Sequence, residues 1–273
     1  MPLFTTRTIE DFPIGNIRLH DHHTAIANAG LHTHPHAWLT PEDLALISIA
    51  TPTLLDEQGT ALAWLGDSPA MAHALVAQSS FLIVHPWDFL RANELYVASL
   101  TGDSIHGEIH PNAVIEGKLH LGVGTRILPG VYIEGNVVIG ENCKIGPNCY
   151  IRGNTSIGDN CHIGQSVEIK NCLILSKTNV GHLSYIGDSV LGEKVNLGAG
   201  TTTSNLRHDG KNHRSMADGV LIDTGRRKFG TIIGDHVHTG INTSIYPGRK
   251  LWPNTTTRPG EIVQHDLEAP SQD

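Results

Sequence analysis

The sequence predicts an all-β fold: a parallel β-helix of six-residue repeats, with a small mixed α/β region at its N-terminal end. Three observations predict this fold. Aliphatic residues recur at every sixth position, and smaller residues form a second series in the same phase. Glycine is abundant, with 29 residues, whereas charged residues make up 17% of the chain and aromatic residues 5%. This composition suits a glycine-rich solenoid better than a bundle of helices with many ion pairs.

The aliphatic series is unbroken over eleven repeats. Its members are Ile109, Ile115, Leu121, Ile127, Ile133, Ile139, Ile145, Ile151, Ile157, Ile163 and Ile169. A fixed short period is typical of a solenoid, in which each unit buries its apolar side chain by stacking on the next. Three such units close a triangular coil of about 18 residues, so strands of successive coils should pair in parallel.

The second series stands four residues after each aliphatic position and predicts another inward-facing site. Its members are Ala113, Leu119, Thr125, Val131, Val137, Cys143, Cys149, Thr155, Cys161 and Val167. Because cysteine shares this position with valine and threonine, we interpret these thiols as buried and space-filling. The segment GVGTR mimics a phosphate-gripping loop of nucleotidyltransferases. Because it is in phase with the repeat, we interpret it as a turn of the coil, which argues against nucleotidyl transfer.

Breaks in the period predict where a site could lie. The phase slips by one residue at Ile174 and again at Leu191, and we expect such slips to bulge the coil outward. The repeat halts between Thr203 and Thr231, and a long loop in a compact solenoid is usually functional or disordered. The predicted organisation is a cap region at 1–104, a β-helix at 105–263 with an inserted loop at about 204–230, and a tail at 264–273.

The cap region lacks the six-residue period and could be the remnant of a larger domain. The segment SSFLIVHPWDFL predicts a buried strand, a turn at His85 and Pro86, and a helix that begins near Asp88. Six histidines cluster between His20 and His36. Their spacing fits no known ligand set, so we interpret this stretch as a solvated loop.

Charge and hydropathy exclude several classes of partner. The formal net charge is −8, which provides no basic footprint for nucleic acid or an anionic membrane surface. The chain also lacks an apolar run long enough to span a membrane, and its first residues do not resemble a signal peptide. We therefore expect a cytoplasmic protein without nucleic-acid or membrane partners.

Specific sequence blocks begin near Arg152 and continue to Gly260. They are, in order, EIK, GHLSYIGD, VNLGAGT, an asparagine at 205 and KFGTIIGD. These blocks resemble the acetyltransferase domain of the bifunctional glucosamine-1-phosphate acetyltransferase/N-acetylglucosamine-1-phosphate uridylyltransferase. The segments NLRHDG, DTGRRKFGTIIGD and HTGINTSIYPG are more similar still to the archaeal-type sugar-1-phosphate nucleotidyltransferase/acetyltransferase group, although the chain lacks the nucleotidyltransferase domain.

This resemblance implies a fold, an assembly and an activity. The fold would be a left-handed β-helix, an exception to the usual right-handed crossover. The assembly would be a parallel homotrimer with sites between subunits. The activity would be CoA-dependent N-acylation, in which acetyl-CoA is the acyl donor and the acceptor is an amino-sugar 1-phosphate or a nucleotide-linked amino sugar. No metal is expected in such a site.

The resemblance also implies roles for individual residues. His182 would be the general base that removes a proton from the attacking amine. The residues implied to hold the sugar and its phosphate are Arg152, Lys170, Tyr185, Asn196 and Lys228. Those implied to contact acetyl-CoA are Ala199, through its N–H near the thioester, and Asn205. The chain departs from the family pattern at Leu206, Ile241 and Pro259.

Two other readings of the sequence stay open. One is a non-catalytic or regulatory protein that retains a sugar-phosphate pocket. The other is a metal-dependent enzyme of the γ-carbonic-anhydrase kind, because His208 and His213 are five residues apart and His236 and His238 flank a strand residue. A site of this kind needs three imidazoles that converge on one metal ion.

Overall fold

The two inward-facing series of the sequence form the core of a three-faced parallel β-helix in the computed structural model, which describes residues 2–27 and 30–268. Every aliphatic member from Leu121 to Ile169 is buried, whereas Ile109 in the first coil is exposed. Cys143, Cys149 and Cys161 are buried free thiols. The predicted β-helix and the space-filling role of these thiols are therefore confirmed.

Three parallel sheets form the faces of the β-helix. Face A contains the strands Glu108–Ile109, Arg126–Ile127, Lys144–Ile145, His162–Gln165, Asn179–His182 and Asn196–Leu197. Face B contains the strands Val114–Glu116, Tyr132–Glu134, Tyr150–Arg152, Glu168–Lys170, Tyr185–Gly187, Thr202–Thr203, Ser244–Ile245 and Ile262–Val263. Face C contains the strands Ser104–Ile105, Leu119–Leu121, Val137–Ile139, Thr155–Ile157, Leu173–Ile174, Val190–Leu191, Thr231–Ile233 and Arg249–Leu251.

The strand register shows what the phase slips do. Tyr150 pairs with Glu168, 18 residues further on, but Glu168 pairs with Tyr185 and Tyr185 with Thr202, each only 17 residues further on. The coils at the slips are therefore one residue shorter than the regular coils. The expected outward bulge is wrong, because a bulge requires an extra residue.

Asparagines at the corners explain why the regular coils turn where they do. Asn142, Asn148 and Asn160 have φ values of 54°, 50° and 56°. This left-handed region is unfavourable for most side chains, but asparagine tolerates it because its short amide can bond the local backbone. The segments IGEN, IGPN and IGDN therefore each end a strand and start a corner.

The insert, defined here as Ser204–Gly230, is folded rather than an irregular loop. Arg214–Ala217 and Val220–Asp223 form an antiparallel hairpin. Lys250, a buried residue on face C, donates from Nζ to the carbonyl of Met216 at 2.7 Å and so holds the hairpin near its turn. After the insert, Thr202 pairs with Ser244, and the stacking of face B resumes.

A helix at Pro86–Ala98 leads into the first coil. It begins at Pro86, two residues before the predicted start near Asp88, since proline suits the first turn of a helix. Asn136 donates from Nδ2 to the carbonyl of Val97 at 3.1 Å, and Asn93 accepts from the Ser156 hydroxyl at 2.7 Å. Hydrogen bonds thus connect this helix to two successive coils of the solenoid.

The chain divides into two units. The solenoid unit contains Met1–Thr6, Ile14–Asn16 and Phe89–Asp273, and the N-terminal unit contains Arg7–Pro13 and Ile17–Asp88. The solenoid unit includes a 3-10 helix at Pro2–Thr5. Residues 269–273 of the predicted tail lie outside the described residues.

The N-terminal unit is mixed α/β, as predicted. Its helices are Leu19–Ile26 and Pro41–Leu44, and its strands are Ile17–Arg18, Leu31–Thr33, Ala37–Trp38, Thr53–Leu55, Ala61–Leu65, Leu75–Val76 and Phe81–Leu82, with Pro13–Ile14 at the boundary. The interpretation of the histidine cluster as a loop is wrong, because His20, His22 and His23 lie in the first helix. His23 is half-buried with a ring nitrogen 2.7 Å from the Ala37 carbonyl, and burial lowers its pKa.

No helix in residues 2–27 or 30–268 combines the length and the apolar character that a membrane span requires.

Candidate functional site

Three of the predicted site residues form one hydrogen-bond network around a carboxylate that the sequence analysis did not single out. Lys170 donates from Nζ to both oxygens of Asp188, at 2.7 and 2.9 Å. Asn205 donates from Nδ2 to Asp188 Oδ2 at 2.5 Å and to the hydroxyl oxygen of Tyr185 at 3.0 Å. Lys170, Tyr185 and Asn205 therefore form one network, the Asp188 cluster, at the coils where the register slips.

Burial makes the electrostatics of the Asp188 cluster strong. The Asp188 side chain is 3% exposed and that of Lys170 is 14% exposed, so the ion pair is shielded from water. Burial raises the pKa of Tyr185, and the charges of Asp188 and Glu168 raise it further. Tyr185 therefore stays protonated. Because its oxygen already accepts from Asn205, its own proton is available for a ligand.

A second layer of contacts lies behind the cluster. Asn171 donates from Nδ2 to Asp188 Oδ1 at 3.0 Å and also to Glu94 Oε1. Glu94, on the helix Pro86–Ala98, accepts from Arg226 of the insert, with Nη1 3.0 Å from Oε2 and Nη2 bonded to Oε1. The solenoid, the helix and the insert therefore all contribute polar side chains to one place.

Arg152 lies one coil before Lys170 on face B and pairs with it in register. Its Nε and Nη2 each lie 2.8 Å from Glu168 Oε1, and the guanidinium lies 5.5 Å from the centre of the Tyr150 ring. Because the guanidinium is about one-third exposed, unlike the Lys170 ammonium, it can still reach an added anion.

His182 and Asn196 lie on face A, away from the hydrogen bonds of the cluster. His182 is the exposed last residue of its strand and pairs in register with Gln165. Asn196 is exposed and pairs with Asn179 and with His238. The corner between faces A and B runs from His182 to Tyr185. His182 and Asn196 therefore lie on face A, and Tyr185 of the Asp188 cluster lies on the adjoining face B.

Ala199 and Lys228 have more peripheral positions. Ala199 lies in a turn after face A, and its carbonyl accepts from the N–H of Asn242 at 2.8 Å. Lys228 is exposed, and its backbone forms an isolated antiparallel β-bridge with Leu206, which lies next to Asn205.

A cavity of about 580 Å³ opens beside Asn205. It is lined by Ser204, Leu206, Arg207, His208, Asp209, Tyr246 and Pro247. Arg207 bonds Asp209 through two nitrogens at 2.7 and 2.8 Å, so the charge of this arginine is already balanced. The residues on both sides of Asn205 therefore border open space.

The histidines of the metal reading do not converge on one point in the described residues. His213 is buried, its Nε2 lies 3.1 Å from the Asn205 carbonyl, and its ring contacts Phe229 edge to face. His208 borders the cavity instead. Within residues 2–27 and 30–268, no group of three or more histidine, cysteine or carboxylate side chains is close enough to hold a metal ion.

Sequence reasoning missed Asp188, Asn171 and Glu94. A signal for Asp188 exists, because it ends the block GHLSYIGD and directly follows Gly187, the residue that pairs in register with Lys170 on the next coil. Glu94 has no local signal, since its partners Asn171 and Arg226 are 77 and 132 residues away in the chain.

Comparisons with known proteins agree with the resemblance. Residues 133–256 match the family model described as the GMPPB C-terminal domain. Over 182 residues, or 67% of this chain, the sequence is 41% identical to a bifunctional sugar-1-phosphate nucleotidylyltransferase/acetyltransferase of Sulfurisphaera tokodaii. Over 186 residues, or 68%, it is 45% identical to the bifunctional protein GlmU of Methanococcus maripaludis. The resemblance to these proteins is therefore confirmed.

The extent of these matches is limited. This chain covers 45% of the length of each of the two relatives. Among solved structures, the acetyltransferase domain of PglB from Neisseria gonorrhoeae FA1090 superposes with a TM-score of 0.31 and 14% identity, over 51% of this chain and 49% of that chain.

Proposed function

We propose that this protein is a CoA-dependent N-acyltransferase that transfers an acetyl group from acetyl-CoA to an amino-sugar 1-phosphate or a nucleotide-linked amino sugar. The observation that carries this proposal is the network in which Lys170 and Asn205 bond Asp188 and Asn205 also bonds Tyr185. The network offers a cation, a neutral phenol and an amide side by side. These donors suit the hydroxyl groups of a ligand, and the more exposed Arg152, one coil earlier, can supply positive charge to a phosphate.

His182 is the general base of the proposed reaction. Its imidazole is exposed at the end of a face A strand, where an incoming amine can reach it. It accepts a proton from the amine while the nitrogen attacks the thioester carbonyl. The new C–N bond forms, the C–S bond breaks, and CoA leaves as the thiol by taking up the proton that His182 had accepted. The substrate amine is the nucleophile, so no covalent enzyme intermediate is needed.

The remaining residues bind the two substrates. Arg152 and Lys228, which are more exposed than Lys170, supply positive charge to the acceptor phosphate, and Asn196 contacts the sugar. Lys170 and Tyr185 donate hydrogen bonds to the acceptor from the Asp188 cluster. The N–H of Ala199 stabilises the negative charge that develops on the thioester oxygen.

Asn205 contacts the acyl-CoA.

We propose that the working form is a homotrimer with sites between its subunits. Light scattering coupled to size exclusion should therefore give three times the chain mass of 29.5 kDa.

A screen of amino-sugar phosphates tests the activity. Purified protein is mixed with acetyl-CoA and glucosamine 1-phosphate or galactosamine 1-phosphate, and release of the CoA thiol is followed. We expect His182→Ala to lower kcat by about 10²- to 10⁴-fold, the usual contribution of a general base. The matched control is His265→Ala, another exposed histidine of the solenoid unit, which should leave kcat unchanged.

Normal turnover by His182→Ala would contradict the assigned base. Binding of sugar phosphates by the native protein without consumption of any acyl-CoA would instead favour the non-catalytic reading.

A further inference from the structure

A forked ion pair joins the insert to the helix Pro86–Ala98. Arg226 Nη1 donates to Glu94 Oε2 at 3.0 Å, and Nη2 donates to Glu94 Oε1. The Arg226 side chain is 16% exposed and that of Glu94 is 25% exposed. Two parallel N–H···O bonds between a guanidinium and a carboxylate fix direction as well as distance. This pair therefore holds the insert in one position on the solenoid unit.

The pair continues into the Asp188 cluster from the helix side. Glu94 Oε1 also accepts from Asn171, and Asn171 donates to Asp188, which binds Lys170 and Asn205. The amide of Asn171 thus lies between two carboxylates and bonds both. A change at Glu94 reaches Asp188 through a single side chain.

The insert reaches the same residue from the other side. The N–H of His213 donates to the carbonyl of Arg226 at 2.8 Å, and His213 Nε2 lies 3.1 Å from the carbonyl of Asn205. Asn205 is therefore held at its side chain by Asp188 and Tyr185, and at its carbonyl by His213 and by the N–H of Phe229 at 2.9 Å. The contacts through Asp188 and through His213 both lead to the pair of Glu94 and Arg226.

We propose that Glu94 and Arg226 form a latch that fastens the insert against the Asp188 cluster, so that both are positioning residues for Asn205 and Lys228. This inference rests on the proposed function for its kinetic consequence but not for its structural one. Opening the latch releases the segment that bears two proposed ligand-binding residues, while His182 on face A keeps its place. The loss should therefore appear in KM rather than in kcat.

Adjacent arginines provide the matched test. Arg226→Gln removes the latch. Arg227→Gln changes an exposed neighbour of the same type, for which the described part of the chain provides no ion pair. Both variants keep Lys211 and Lys228, where a lysine-specific protease can cut the insert. We expect cleavage of folded Arg226→Gln to be about tenfold faster than that of the native protein, within the range for residues coupled in one network. Arg227→Gln should match the native protein.

Kinetics and a double-mutant cycle complete the test. The KM for the amino-sugar phosphate should rise about tenfold in Arg226→Gln and in Glu94→Gln, with kcat changed less than twofold. The double variant should be no worse than either single variant, because both remove the same interaction. Far-ultraviolet circular dichroism checks that each variant is folded.

Equal cleavage of Arg226→Gln and Arg227→Gln would overturn the latch. The protease readout needs no activity, so it separates the two proposals. A cleavage difference in a protein that acylates nothing would leave the latch standing and sink the acyltransferase proposal. Acylation by the native protein without a cleavage difference would do the reverse.

Discussion

The ammonium of Lys170 lies 2.7 and 2.9 Å from the two oxygens of Asp188, and this ion pair is almost fully buried. One coil earlier on the same face, Arg152 and Glu168 form a pair whose side chains are about one-third exposed. The two pairs have the same charges and similar distances but differ in solvent access. They therefore offer a direct test of what burial does to an ion pair.

Removing the carboxylate of the buried pair should be far more costly than removing that of the exposed pair. We expect Asp188→Asn to lower the free energy of unfolding by about 3 kcal/mol, because it leaves the buried Lys170 charge without compensation. Glu168→Gln should lower it by less than about 1 kcal/mol, since water screens Arg152. Urea denaturation measures both. Equal effects of the two substitutions would contradict the role given to burial.

The insert should open more readily in acid. Burial lowers the pKa of His213 below its ordinary value of 6.5, and the hydrogen bond to the Asn205 carbonyl only partly opposes this effect. The open form therefore binds a proton more readily than the closed form. The stability that neutral His213 contributes is present above pH 6.5 and is lost as the pH falls below that value.

Cleavage by the lysine-specific protease at Lys211 measures this opening. The cleavage rate should rise as the pH falls from about 7.5 to about 5.5, after correction for the rate on an unfolded peptide. His213→Gln should flatten the profile, because glutamine does not titrate. An unchanged pH dependence in that variant would assign the effect to other groups.

The thiols of Cys149 and Cys172 should be inert in the native protein. Burial raises the pKa of Cys149 and that of Cys172 to about 12. The thiolate is the reactive form, so at neutral pH neither residue should react with a disulfide reagent. We expect all four cysteines to react once the protein is unfolded in urea. Rapid modification of one thiol in the folded protein would show that the core opens there.

The core column should be sensitive to truncation. Ile151 is fully buried in the solenoid core, whereas Val123 at a corner is 58% exposed. Ile151→Ala should lower the free energy of unfolding by about 2–5 kcal/mol through lost burial and a cavity. Val123→Ala should change it by no more than about 0.5 kcal/mol. Thermal or urea unfolding distinguishes the two.

The fold was predictable because its cause is local and periodic. Each inward position, such as Ile133 or Thr155, follows from its place in a six-residue repeat, and stacking does the rest. The site was predictable only in part. Lys170, Tyr185 and Asn205 stand in recognisable blocks and do meet in space. Asp188, which bonds Lys170 and Asn205, looks like an ordinary corner residue until the register places its neighbour Gly187 over Lys170.

Contacts across long stretches of chain carry no periodic signal. The bond between Glu94 and Arg226 depends on where a helix comes to lie on the stack of coils, and the residues around each partner do not encode that. The fold of the insert is a similar case. His213 is buried by contacts with Phe229 and Asn205, and the hairpin is held by Lys250, and none of these contacts follows from a repeat.

The helix at Pro86–Ala98 has a consequence for the length of the solenoid. In a plain stack of repeats each coil contacts only its neighbours, so a whole coil can be added or removed without strain. Here Val97 is tied to the coil of Asn136, Asn93 to that of Ser156, and Glu94 to the corner at Asn171. The helix rises by a fixed 1.5 Å per residue. The helix therefore fixes the number of coils between these contacts. Insertion or deletion of a coil here would move Glu94 away from the insert.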